Sequence, residues 1–196
     1  MRLLLFKSGN YEKCPFCNSD RKGKTEVEAV QQIMKRVNVN DTTAMCNLAI
    51  YYNNGQLGFQ QDHAKARQIH KQAAELGSSR AHCHLGHEYH LGGDLKKAKF
   101  HWEAAAMAGN EDARCGLGLM EFESGNKERA VKHLTIAASA GDPRAMHELT
   151  LAFEAGHVSK ESINSTLTAY NNSCAEMRSE ARDAYICVAM EMNEST

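Results

Sequence analysis

The sequence predicts an all-α solenoid of stacked helical hairpins, and three observations lead there. One stretch is copied downstream at a step of 32 residues. Each copy is punctuated by glycines and capping residues at matching places. Between them, alanine and leucine return at helical intervals. Self-similarity at a period of this length marks a repeat architecture, in which each unit buries its apolar face only against its neighbours.

The clearest copy is residues 81–109, AHCHLGHEYHLGGDLKKAKFHWEAAAMAG, and residues 110–141 repeat its skeleton. Ala81 returns as Ala113 and Ala145, and Leu85 as Leu117 and Leu149. Ala98 returns as Ala130, Ala105-Ala106 as Ala137-Ala138, and Gly109 as Gly141. Going backwards, the second half keeps its step, from Ala98 to Ala66, Ala105 to Ala73 and Gly109 to Gly77. The first half steps by 37 instead, from Ala81 to Ala44, Leu85 to Leu48 and Tyr89 to Tyr52. Unit 41–77 therefore carries five extra residues in its internal loop, around 55–61.

Each unit reads as two helices. Ser78-Ser79 caps a helix that runs to about His90, Gly92-Gly93 breaks it, and Asp94 caps a second helix ending at Gly109. A capping side chain accepts from the free N–H groups of a first turn, and glycine takes the left-handed turn that ends a helix. Asp62 and Asn126 serve as caps elsewhere, Gly77 and Gly141 as stops, and Pro143 lies in a first turn. The units are 41–77, 78–109, 110–141 and a shorter, degenerate 142–158.

These residues carry a resemblance. Leu85-Gly86-x-x-Tyr89, then Gly92-Gly93, then Ala98-x-x-x-Trp102, then Ala105-Ala106-x-x-Gly109 resembles the Sel-one-like repeat, a branch of the tetratricopeptide superfamily. Tyr52, Gly55, Asp62, Lys65-Ala66 and Ala73-Ala74-Glu75-Leu76-Gly77 resemble it again, so the likeness covers residues 41–158. Glu121 stands where a tyrosine is expected. The fourth unit has Thr150 after Leu149 and lacks the Ala-Ala-x-x-Gly ending. The resemblance implies a right-handed αα-superhelix of about four hairpins plus capping helices, used as a protein-binding scaffold and not as an enzyme.

Composition bounds the partners. A formal charge of −1 over 196 residues supplies no strong field for nucleic acid or an anionic membrane. The apolar run at residues 3–6 is too short for a secretory or membrane-spanning segment. An intracellular, cytoplasmic location is expected, with the seven cysteines free or metal-bound.

Residues 1–24 stand outside the repeat and contain Cys14-Pro15-Phe16-Cys17. Two cysteines at this spacing present half of a tetrahedral zinc site. The segment YEKCPFCNSDR resembles the last ligand pair of a RING-type zinc finger, which makes Cys14 and Cys17 the last two of its eight ligands. No Cys or His lies between Met1 and Lys13, so zinc would need an incomplete or intermolecular site. The alternative to a plain scaffold is therefore a truncated form of a RING-type ubiquitin ligase whose repeats choose the substrate.

Residues 25–40 read as a capping helix. Thr25 and Glu28 form a capping box, and Val27, Val30, Ile33 (or Met34) and Val37 share a face. Within the units, residues two after the reference alanine are Cys46, Cys83, Cys115 and His147, and six after it are Ile50, His87, Leu119 and Leu151. Both columns read as facing the next repeat, with cysteine there as a small buried apolar residue. Cys83, His87 and His90 share a helix face at metal-ligand spacing, in a cluster with His82 and His84, so a metal-carrier role is a third reading. The column three after the reference, Asn47, His84, Gly116 and Glu148, is small and polar and fits a concave partner-binding groove. Asn53, His90 and Glu154 extend it.

The last segment, 159–196, begins with Ser159 as a cap. Ile163, Leu167, Tyr170, Cys174, Met177, Ala181, Ala184 and Val188 form an apolar stripe. One long helix, or two broken at Asn171-Asn172, would cap the stack. No nucleophile elbow, phosphate loop or metalloprotease signature is present, and Gly116-Leu117-Gly118 lies inside a helix. The expected function is a non-catalytic adaptor binding a protein or peptide in the groove, with no nucleic-acid or membrane partner.

Overall fold

The structure, a computed structural model, describes residues 26–176. Within them lie nine helices and no strand: α1 Glu26–Asn38, α2 Thr42–Asn54, α3 His63–Glu75, α4 Ser79–Leu91, α5 Leu95–Met107, α6 Glu111–Glu123, α7 Lys127–Ser139, α8 Pro143–Glu154 and α9 Lys160–Glu176. Helices α2/α3, α4/α5 and α6/α7 are hairpins in the register of the sequence repeat, and each hairpin packs on the next.

The repeat is short because one turn does two jobs. At the end of α3 the Gly77 N–H donates to Ala74 O at 2.8 Å and the Ser78 N–H to Ala73 O at 3.0 Å. This pair of bonds closes the helix through a left-handed residue, here Gly77 with φ +84°. Ser78 then caps α4, its hydroxyl accepting from the Ala81 N–H. The residue that closes one helix thus opens the next. Asn110 and Asp142 repeat the device between hairpins, and Asp94 does so inside one.

Asn126 departs from expectation. It stands at the start of α7 but makes no side-chain capping bond. Its amide donates instead to Glu121 Oε2 at 2.8 Å.

Small residues set how closely the helices approach. Ala44, Ala81, Ala113 and Ala145 are buried, as are Leu48, Leu85, Leu117 and Leu149 four residues on. Ala66, Ala98 and Ala130 face them from the second helices, with Ala73, Ala105 and Ala137. Each leucine fully removed from water contributes about 2 kcal/mol.

The two ends differ from the middle. Helix α1 packs on α2 through Ile33 and Val37, while Val27 and Met34 stay exposed. Thr25, the expected half of its capping box, lies outside the described residues. Asp41 caps α2 and is held by Arg36. Helix α8 keeps the repeat's register, and α9 follows it across both α7 and α8. Asn171-Asn172 do not interrupt α9. Its covered side is rotated from the expected stripe: Ile163 and Thr166 are buried, the Ser173 hydroxyl donates to Ser139 O, and Leu167 is exposed. Met177 and the rest of that stripe lie outside the described residues.

Candidate functional site

The buried Ala and Leu columns leave each first helix one open side. Counted from the reference alanine, positions −1, +3, +6 and +10 share it, because steps of three and four residues return to one face. On α4 these are Arg80, His84, His87 and Leu91, and on α6 Asp112, Gly116, Leu119 and Glu123. Two rows run across the stack. The polar row pairs neighbouring repeats: Arg80 Nη1 donates to Asn47 Oδ1 at 3.1 Å, and Arg144 pairs with Asp112. The +6 row was expected to face the next repeat. It is partly open instead, with Leu119 38% and Leu151 46% exposed and Ile50 and His87 half-buried.

The expected groove residues divide. Asn47, His84 and Glu148 are half-buried on the first helices. Gly116 is buried against Trp102, where an added Cβ would come within 2.8 Å of the indole Cε2. Asn53 turns to its own loop, its side chain meeting His63 Nδ1 and its carbonyl accepting from Gln61. His90 lies against Trp102, with Nε2 3.6 Å from Glu123. Glu154 is exposed at the end of α8. Positions +3 and +9 are six residues apart, so a helix turns them to different sides. Arg80, Leu119 and Leu151 share this open side and were not singled out as open from the sequence, although the three-and-four step from His84 reaches their positions.

The histidine cluster of α4 is shared among several neighbours. His82 Nδ1 lies 2.9 Å from His101 Nδ1, and His101 stacks on Tyr89. His84 stacks on His70 of α3. His87 meets Trp102 edge-on at 5.2 Å, on the ring His90 also touches. Cys83 points into the core. Among the described residues, no group of three His, Cys, Asp or Glu side chains is placed to hold a metal ion, and Cys83, His87 and His90 do not form one. Cys14 and Cys17 lie outside the described residues.

Of the cysteine column, Cys46, Cys83 and Cys115 are buried and His147 is exposed. Burial pushes the Cys83 thiol up to about 12 and the Cys115 thiol to about 11, and raises that of Cys46. All three stay protonated near neutral pH, which removes their nucleophilic form.

Glu121, at the position of Tyr52 and Tyr89, is 3% exposed. Lys99 Nζ donates to it at 2.9 Å, and Arg129 lies 3.7 Å away. The Lys99 hydrogen bond, then that of Asn126, holds its carboxyl below the usual range. The carboxylate thus ties α5, α6 and α7 together.

With this geometry in view, comparison with known families is decisive. The Sel1 repeat model matches residues 42–78, 79–110 and 112–142, just over half of the chain. The chain belongs to the Sel1 repeat family. Its Sel1 repeats have the three complete hairpins as their bodies, while α8 and α9 lie beyond the matched residues. A Sel1 repeat protein from Oxalobacter formigenes is similar in structure, with a TM-score of 0.65 and 24% identity over 76% of this chain and 64% of that one. A protective antigen present in uropathogenic Escherichia coli strains, of SLR fold, is similar at a TM-score of 0.62 and 25% identity, over 84% of this chain and 36% of that one. This chain therefore spans less than two thirds of either neighbour's length. Both confirm the all-α, tetratricopeptide-like superhelix. No curated protein matches the chain at a significant level. No helix among the described residues is long and apolar enough to cross a membrane.

Proposed function

We propose that this Sel1 repeat chain is a non-catalytic scaffold that holds a segment of a partner protein along the open side of its first helices. The observation that carries the reading is the pair of rows just described. An apolar row of Ile50, Leu119 and Leu151 runs beside a polar row of Asn47, Arg80, Asp112 and Arg144. Leu119 and Leu151 stand at equivalent positions of successive first helices, so their partly exposed side chains form a row and not lone surface residues.

Curvature supports the choice of face. First helices of successive repeats touch each other, α2 with α4 and α4 with α6. Among the three complete hairpins no comparable contact joins α3 to α5 or α5 to α7; at the last joint the pattern reverses, with α9 packed on α7. Closer approach on one side bends a stack toward that side, which over the three complete hairpins supports the open rows as the inner surface. Sel1 repeat proteins generally bind proteins, which agrees.

A photo-crosslinking residue placed at Leu119, on the inner rows, and at Phe100, exposed on a second helix, tests this in cell extract. The expected result is a discrete adduct from the Leu119 site and none from Phe100. Equal adducts from both sites, or adducts from Phe100 alone, would discard the inner-face reading.

A further inference from the structure

Each second helix sends one side chain toward the next repeat from the same register position. These are His70, Trp102 and Leu134. Trp102 and Leu134 are buried plugs that carry no titratable group, the indole Nε1 of Trp102 lacking a hydrogen-bond partner. His70 fills the place with an imidazole that is 6% exposed. Its ring lies on that of His84 with centroids 4.7 Å apart and planes 13° from parallel. Its Nε2 is buried and has no hydrogen-bond partner.

We infer that the joint between the first and second Sel1 repeats is a proton-sensitive contact, held closed only while His70 is neutral. A neutral imidazole tolerates an unpartnered ring nitrogen as a bare acceptor. Protonation turns both ring nitrogens into donors, and Nε2 would then be a buried cationic N–H facing no acceptor.

The neighbours give that charge no relief. From α4, His84 and Arg80 both act on His70 and both oppose a positive charge there. From α2, Asn47 is uncharged and holds Arg80, while Cys46 is a buried thiol kept protonated. The carboxylate acting on this group of residues, Asp112 of α6, acts on His84 and is itself paired with Arg144. His87 adds a further opposing group to His84. Burial, then His84, pushes His70 down to about 4.

The sign follows. The unfolded chain takes up a proton at His70 near the ordinary pH of about 6.5, and the folded chain does not. Stability is whole above that pH and falls as pH drops toward about 4. The α4/α5 to α6/α7 joint, closed by Trp102 against Gly116, has no titratable side chain at this place. The acid sensitivity that His70 adds therefore falls on the contact between α3 and α4.

The test compares urea unfolding of the full chain with His70→Leu, which installs the residue used at Leu134. Between about pH 7.5 and pH 5 the parent's unfolding constant should rise roughly twenty- to thirty-fold more than the variant's. Equal rises in parent and variant would overturn the inference. A second measurement needs no variant: the imidazole of His70, followed by NMR in the native chain, should remain neutral at pH 5. An ordinary midpoint near 6.5 would overturn the inference as well. In His84→Asn, which copies Asn47, the His70 midpoint should move up. No movement would remove His84 from the device.

Discussion

Trp102 lies so close to Gly86 that a Cβ there would come within 2.4 Å of the indole Cδ1. Gly116 of the next repeat closes on the opposite part of the same ring. The indole is 2% exposed, so it has no free space to move into. Helix α4 thus needs glycine in its middle, despite glycine's poor helix propensity, because the plug between repeats is large.

That contact sets a first prediction. Gly86→Ala gains about 1 kcal/mol of helix propensity but forces a buried ring against backbone on both sides. Overpacking of a rigid core costs about 1–3 kcal/mol and more where nothing yields. The net expectation is a loss of roughly 1–3 kcal/mol in urea unfolding. Gly92→Ala is the contrast. Its φ is ordinary, and an added Cβ would come no closer than 3.4 Å to the carbonyl of Glu88, so the change should be neutral or slightly stabilising.

A second prediction concerns Glu121. Glu121→Gln keeps the shape and removes the charge that Lys99 and Asn126 bind. Losing a charge-assisted bond at a buried site should cost about 1.5–3 kcal/mol. In a cycle with Lys99→Met, measured by chemical denaturation, the double variant should recover part of the loss, because the uncompensated cation is gone. Strict additivity would mean that the two groups do not interact.

The same carboxylate has a pH signature. Its folded value is depressed, so its contribution is present above the unfolded value of about 4.5 and disappears as pH falls through the folded one. The acid limb of the stability curve should thus have two parts. The upper part, between about pH 6.5 and 4, belongs to the buried histidines and is reduced in His70→Leu by the share of His70. The lower part belongs to the carboxylates and is reduced in Glu121→Gln. Melting curves collected across that range separate them.

Thiol chemistry offers a fourth check. A chain in which Cys14, Cys17, Cys174 and Cys187 are changed to serine retains Cys46, Cys83 and Cys115. These are buried and held protonated, so a maleimide should label them only as fast as the native stack opens. Denaturant should expose all three at once. Fast labelling of Cys83 in native buffer would contradict its burial against α6.

Much of this protein was legible in one dimension. The step of 32, the Ala and Leu columns, the longer first loop and most of the caps are local facts, and a repeat converts local facts into a fold. The open side of the first helices was half legible. Its polar column, Asn47, His84 and Glu148, was found because polarity on an amphipathic helix marks the open side. Its apolar row was assigned to the interior, since Leu119 and Leu151 look in sequence like the core leucines two positions earlier. A helix turn of 200° separates two such positions, and only the packing of the next hairpin says which is covered.

By itself, then, the sequence determined the architecture: hairpins, register, turns and the identity of the core. Each of these depends on backbone periodicity and on residues within one turn of each other. Tertiary structure alone decided what the special residues do. It sent His82 to His101, His84 to His70, and His87 and His90 to Trp102, and so dispersed an apparent metal cluster. It drew Asn126 away from its helix end to Glu121, and it buried His70 where its equivalents are Trp102 and Leu134. These outcomes depend on side chains brought together from different helices, as His70 and His84 are across a repeat joint. Helical spacing holds no record of such contacts.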